Sequence, residues 1–98
     1  MASRSNLKTG QKVVTTAGTP VQLSDFRIGE DCYLVVKAKK TNTGVIGIGY
    51  SSATALLTNA DYFSIEAGES VRLKVDSPVK VWIDASVSGE GIEYITEA

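Results

Sequence analysis

The chain has 98 residues, 43% hydrophobic and 21% charged, with ten basic against eleven acidic side chains for a formal net charge of −1. A chain this long makes one domain with a thin core, burying roughly 60–65% of the surface its unfolded form exposes. The balanced charge gives no field to steer nucleic acid or an anionic membrane towards it, and Lys37, Lys39 and Lys40 fall short of a polybasic patch.

Met1 to Gly10 reads as a flexible polar arm, with Leu7 alone among Ser3, Arg4, Ser5, Asn6, Lys8 and Thr9. Too little apolar surface is present there to order it without a partner. It also lacks the apolar run of a secretion signal, so the chain is expected to be cytosolic when made. Residues 11–98 are expected to form a single β domain. Lys12–Thr16 is a β-branched run, Ala17-Gly18-Thr19-Pro20 a turn, and Val21-Gln22-Leu23 an extended piece.

Asp31–Lys39 is the first long strand. Cys32, Leu34, Val36 and Ala38 share one face, and Tyr33, Val35, Lys37 and Lys39 share the other. After a turn at Thr41-Asn42-Thr43-Gly44, Val45–Tyr50 reads as a strand with Ile46, Ile48 and Tyr50 opposite Val45, Gly47 and Gly49. Ser51–Asp61 is irregular, and its Ala53, Ala55, Leu56 and Leu57 could form one helical turn or plug an end of the fold. Tyr62–Ile65 is a short strand ending at the turn Glu66-Ala67-Gly68-Glu69. Val71, Leu73 and Val75 alternate with polar partners. So do Val79, Val81, Ile83 and Ala85 after Ser77-Pro78, and Ile92–Thr96 closes the chain beyond a Gly/Ser loop.

Roughly eight short strands at this spacing predict an all-β antiparallel sandwich of jelly-roll type, with little or no helix. If neighbouring strands pair as hairpins, inward residues must meet inward ones. Setting Val75 opposite Val79 places Arg72 against Trp82. Setting Ala85 opposite Ile92 places Trp82 against Ile95.

Histidine is absent, which removes the commonest general base and metal ligand and any Ser-His-Asp or Cys-His arrangement. Cys32, the single cysteine, excludes an internal disulfide and fits a reducing compartment. It reads as a small buried apolar residue. Gly44, Gly47 and Gly49 lie within a strand pattern and lack the following helix that phosphate binding requires. Glu66, Glu69, Asp76, Asp84, Glu90, Glu93 and Glu97 read as solvated surface. The chain is expected to be no enzyme, to hold no cofactor or metal, and to cross no membrane, since no stretch of eighteen apolar residues occurs.

The aromatic residues carry the functional signal. Period two puts Tyr33 and Val35 on an outer face, and likewise Trp82, flanked by Arg72 and Ile95 in the hairpin registers. Trp and Arg beside aliphatic residues match the composition of binding hot spots. Trp82, Arg72, Ile95, Tyr33, Val35 and the arm's Leu7 are therefore the candidate interface. Arg72 over Trp82 would add a cation–π contact. Intramolecular cover of this face, or a stacking platform for sugar, are the alternatives, and nucleic acid is disfavoured by charge.

Three stretches resemble small virion proteins of tailed bacteriophages. They are Val13-Val14-Thr15-Thr16-Ala17-Gly18-Thr19-Pro20-Val21-Gln22-Leu23-Ser24, Ile65-Glu66-Ala67-Gly68-Glu69-Ser70-Val71, and Val79-Lys80-Val81-Trp82-Ile83-Asp84 with Gly89-Glu90-Gly91-Ile92-Glu93-Tyr94. With the Gly47-Ile48-Gly49 strand they span most of the chain beyond the arm. The resemblance implies a β-sandwich capsid decoration, or cement, protein that binds the major capsid protein or other virion proteins. It also implies a homo-oligomer, often a trimer, located in the virion after synthesis in the host cytoplasm. A minor tail, baseplate or fibre component and a carbohydrate-binding module are the alternatives.

Overall fold

A computed structural model describes residues 8–24, 28, 32–51, 55 and 62–97. Its strands, in chain order, are β1 (Thr9–Val13), β2 (Val21–Gln22), β3 (Tyr33–Ala38), β4 (Ile46–Gly49), β5 (Phe63–Ile65), β6 (Ser70–Leu73), β7 (Trp82–Ala85) and β8 (Gly91–Glu97). One 3-10 turn, Pro78–Lys80, enters β7, with Ser77 Oγ accepting the Val79 N–H at 3.2 Å. Ala55, buried, donates its N–H to the Ser51 carbonyl at 3.1 Å. The rest of the Ser51–Asp61 segment and the arm up to Leu7 lie outside the described residues. β1 starts at Thr9, so the end of the expected arm is strand rather than tail.

The strands form two antiparallel four-stranded sheets, in the orders β1-β8-β3-β6 and β2-β7-β4-β5. Successive strands alternate between the sheets except at β4–β5, the one sequence-adjacent pair that is also hydrogen-bonded. That path is a jelly roll, the fold the strand pattern predicts.

On β3 the alternation is intact, with half-buried and buried residues taking turns. Leu34, Val36 and Ala38 from β3 face Ile46, Ile48, Ile83 and Ala85 from the other sheet, and Val14, Leu23, Ile28, Ile65, Val81 and Ile92 complete one buried cluster. Half-buried Cys32, Val71, Leu73, Val75 and Tyr94 pack against its margin. Burial of this apolar surface is the dominant favourable contribution to folding.

The hairpin registers, in contrast, are not formed. β6 pairs with β3, β7 with β2 and β4, and β8 with β1 and β3. Trp82 therefore lies opposite Gln22 and Gly49, not Arg72 or Ile95, which belong to the other sheet. Parity constrains which face a residue takes, but a connection that crosses between sheets keeps parity while changing every neighbour.

The β1–β2, β3–β4, β5–β6 and β7–β8 loops gather at one end and are stitched together by polar groups. Val14 donates to the Glu90 carbonyl at 2.9 Å and accepts from the Gly89 N–H at 2.8 Å. Asn42, buried, holds Gly91 at both backbone groups: Nδ2 donates to its carbonyl at 2.9 Å and Oδ1 accepts its N–H at 3.4 Å. The Glu90 carboxylate accepts the Thr43 and Gly44 N–H groups at 2.7 and 2.9 Å and the Thr43 hydroxyl at 2.9 Å. Gly91 must be glycine, because a Cβ there would collide with the Lys12 carbonyl and Val13 Cα, both backbone.

Candidate interaction face

The outer face of the β1-β8-β3-β6 sheet collects four of the six candidate residues. One cross-strand row reads Thr9, Ile95, Val35, Arg72, and the next reads Gln11, Glu93, Lys37, Ser70. Apart from Arg72, both rows line a shallow depression of about 420 Å³, which Gly10 and Tyr94 complete at the β1 edge. Gly10 belongs there because the Tyr94 ring crosses beneath it, where a side chain at residue 10 would stand.

Val35 and Ile95 are neighbours on the floor of this depression. Ile95 keeps 38% of its surface exposed, an outlay of apolar area that the fold itself does not use. At the far end of β3, Tyr33 carries a cation on its ring from each of two residues. The Arg72 guanidinium lies 5.1 Å and the Lys74 ammonium 4.8 Å from the ring centroid. Each such contact is worth about 0.5–1 kcal/mol at an exposed site. The expected cation–π contact of Arg72 is thus made to Tyr33, not Trp82. Across the second row Lys37 and Glu93 sit 3.9 Å apart, both well exposed, so the pair adds little to stability.

Trp82 stands elsewhere. It is half-buried on the outer face of the β2-β7-β4-β5 sheet, in a row with Gln22 and Gly49. The candidate interface is therefore two separate regions: Tyr33, Val35, Arg72 and Ile95 on one sheet, and Trp82 on the other. Leu7 lies outside the described residues.

Asp84 shares the outward parity of Trp82 but is only 1% exposed, which corrects its assignment to solvated surface. Its Oδ1 accepts the Gly18 N–H at 3.0 Å and the Ala85 N–H at 2.8 Å. Gly18, at φ +87°, turns the β1–β2 loop over this part of the sheet, and Ala17 donates to Ser88 Oγ at 2.8 Å beside it. The loop's composition announced a turn, but nothing in it announced that an acid seven tenths of the chain away would anchor it.

Two carboxylates, half-buried Glu90 and exposed Asp76, have lowered pKa values. The Gly44 N–H first, then the Thr43 N–H, hold Glu90 below the ordinary glutamate range. Lys80 does the same for Asp76 through a hydrogen bond and its charge, at 3.1 Å. Among the described residues no group of His, Cys, Asp or Glu could hold a metal ion, and no helix is long and apolar enough to cross a membrane.

No protein-family profile matches the chain. No curated protein matches it either. One solved structure similar to it comes from work on Bacillus endospore appendages, a family of disulfide-linked pili. It has 19% identity and a TM-score of 0.45 over 98% of this chain and 90% of that one.

Proposed function

We propose that this protein is a non-enzymatic structural component of a phage virion. On this reading it is a capsid decoration protein that binds the head lattice through the outer face of its β1-β8-β3-β6 sheet. The observation that carries the binding role is the joining of Tyr33, Val35, Ile95 and Arg72 on one sheet face, where Val35 and Ile95 line a depression of about 420 Å³. An aromatic ring flanked by two cations beside outward-facing aliphatic residues has hot-spot composition. The virion assignment draws on the resemblance of the turn-and-strand stretches above.

The fold suits the task physically. A jelly roll buries both sheets against each other and leaves short edges, so the body resists fraying. A decoration protein spanning several capsid subunits gains avidity from modest single contacts.

Particles assembled without this protein test the proposal. They are expected to lose heat or osmotic resistance and to regain it when purified protein is added back. Equal resistance with and without it would overturn the decoration role. Copy number separates the alternative location, since a head protein is present on the order of hundreds per particle and a tail component at a dozen or fewer.

A further inference from the structure

The free edges of the two sheets are not alike. β2 is two residues long and β5 three. The β6 edge turns Ser70, Arg72 and Lys74 outward, and charges of this kind discourage edge-to-edge pairing. β1 is five residues long, TGQKV, and no described residue pairs with its far side.

The direction of its backbone groups follows from the bonds at its two ends. Thr96 donates its N–H to the Lys8 carbonyl at 3.0 Å, and Val14 donates to the Glu90 carbonyl at 2.9 Å. Antiparallel alternation then turns Gly10 and Lys12 towards β8 and leaves the N–H and C=O of Thr9, Gln11 and Val13 pointing outward. Those three residues have exposed side chains without charge.

We infer that this edge pairs with the same edge of a second copy, about a two-fold axis at Gln11. The sequence of β1 is complementary to its own reverse. Antiparallel pairing centred there sets Gln11 against Gln11, Thr9 against Val13 and Gly10 against Lys12. Every outward backbone group finds a partner, neutral β-branched residues meet across the outer face, and no lysine opposes another. On the inner side, each Lys12 stands opposite a glycine and not opposite another charge. The contact is isologous and closes as a dimer, joining the two sheets into one and placing their depressions side by side. It uses the outward backbone groups of β1 and is read on the isolated protein, whereas the lattice-binding reading rests on Val35 and Ile95 and is read on particles, so the failure of one is distinguishable from the failure of the other.

Sedimentation and crosslinking test this. The wild type is expected at twice the 10.4 kDa of one chain at high micromolar concentration. Gln11→Pro, which removes an outward N–H while sparing the bonds to β8, is expected to run as a monomer. In a Cys32→Ser background, Gln11→Cys is expected to oxidise to a linked dimer. Opposed residues of this kind stand about 5.5 Å apart at Cα, within disulfide reach. Thr9→Cys, which faces residue 13 instead, is expected not to link. A monomeric wild type would overturn the inference, as would a Gln11→Pro dimer or linkage at position 9 in preference to 11. The crosslinking pair decides the matter even if Gln11→Pro fails to fold.

Discussion

Val35 and Asp84 occupy matching positions on opposite sides of the sandwich: each points outward from a central region of its sheet, between two inward-facing residues. Val35 stays half-exposed beside Ile95, while Asp84 is covered by the β1–β2 loop. An acid is sealed in and an aliphatic pair is left out, the reverse of what hydrophobicity alone would arrange. The difference lies in hydrogen bonds. Asp84 is needed where two N–H groups converge, whereas no contact within the described residues requires Val35 and Ile95 to be apolar. On the proposed function, this outward apolar pair is the surface that meets the partner.

This contrast makes graded predictions. Asp84→Ala removes a buried acceptor and unfastens the β1–β2 loop, and is expected to cost about 2 kcal/mol in denaturant unfolding. An unchanged midpoint would mean the loop is held by other contacts and that the covered face owes nothing to its acid.

Glu90→Gln acts at the stitched end and should be read through pH. The folded-state pKa of Glu90 is lowered, so its contribution is present above the unfolded value and fades as pH falls through the folded one. The wild type is therefore expected to lose stability below about pH 4, and Glu90→Gln to show a shallower loss over that range. Identical pH profiles would remove Glu90 from the account.

Val35→Thr and Ile95→Thr keep β-branched shape and are expected to stay within about 0.5 kcal/mol of wild type in stability while weakening attachment to the particle. A large stability loss would mean the pair belongs to the fold. Smallest of all, Lys80→Ala breaks an exposed ion pair with Asp76 and is expected to leave the melting midpoint unchanged.

The inward faces of β3, β7 and the start of β8, and Ile46 and Ile48 on β4, were legible from period two, although Tyr50, on the same face as the last two by period, is exposed. Leu34, Val36, Ala38, Ile46, Ile48, Val81, Ile83, Ala85 and Ile92 all lie in the core. Turns were legible where glycine was required, as at Gly18 and Gly68 with φ of +87° and +83°. Partnership between strands was not. The Arg72–Trp82 and Trp82–Ile95 pairs assumed that neighbours in sequence pair in space, and here they cross between sheets. Tyr33 and Val35 shared an outer face on the strand's own evidence. Joining them to Ile95 and Arg72 depends on β8 and β6 flanking β3, pairings made over long sequence separations. Asp84 was misread because its partner, the Gly18 N–H, is a backbone group that no side-chain pattern reveals.

The most direct measurement is saturation binding of purified protein to particles lacking it, comparing a Val35→Glu, Ile95→Glu double variant with Trp82→Ala, both checked for a folded melting transition. The account predicts that the double variant no longer decorates the particle while Trp82→Ala binds as wild type. Undiminished binding by a folded Val35→Glu, Ile95→Glu protein would contradict it.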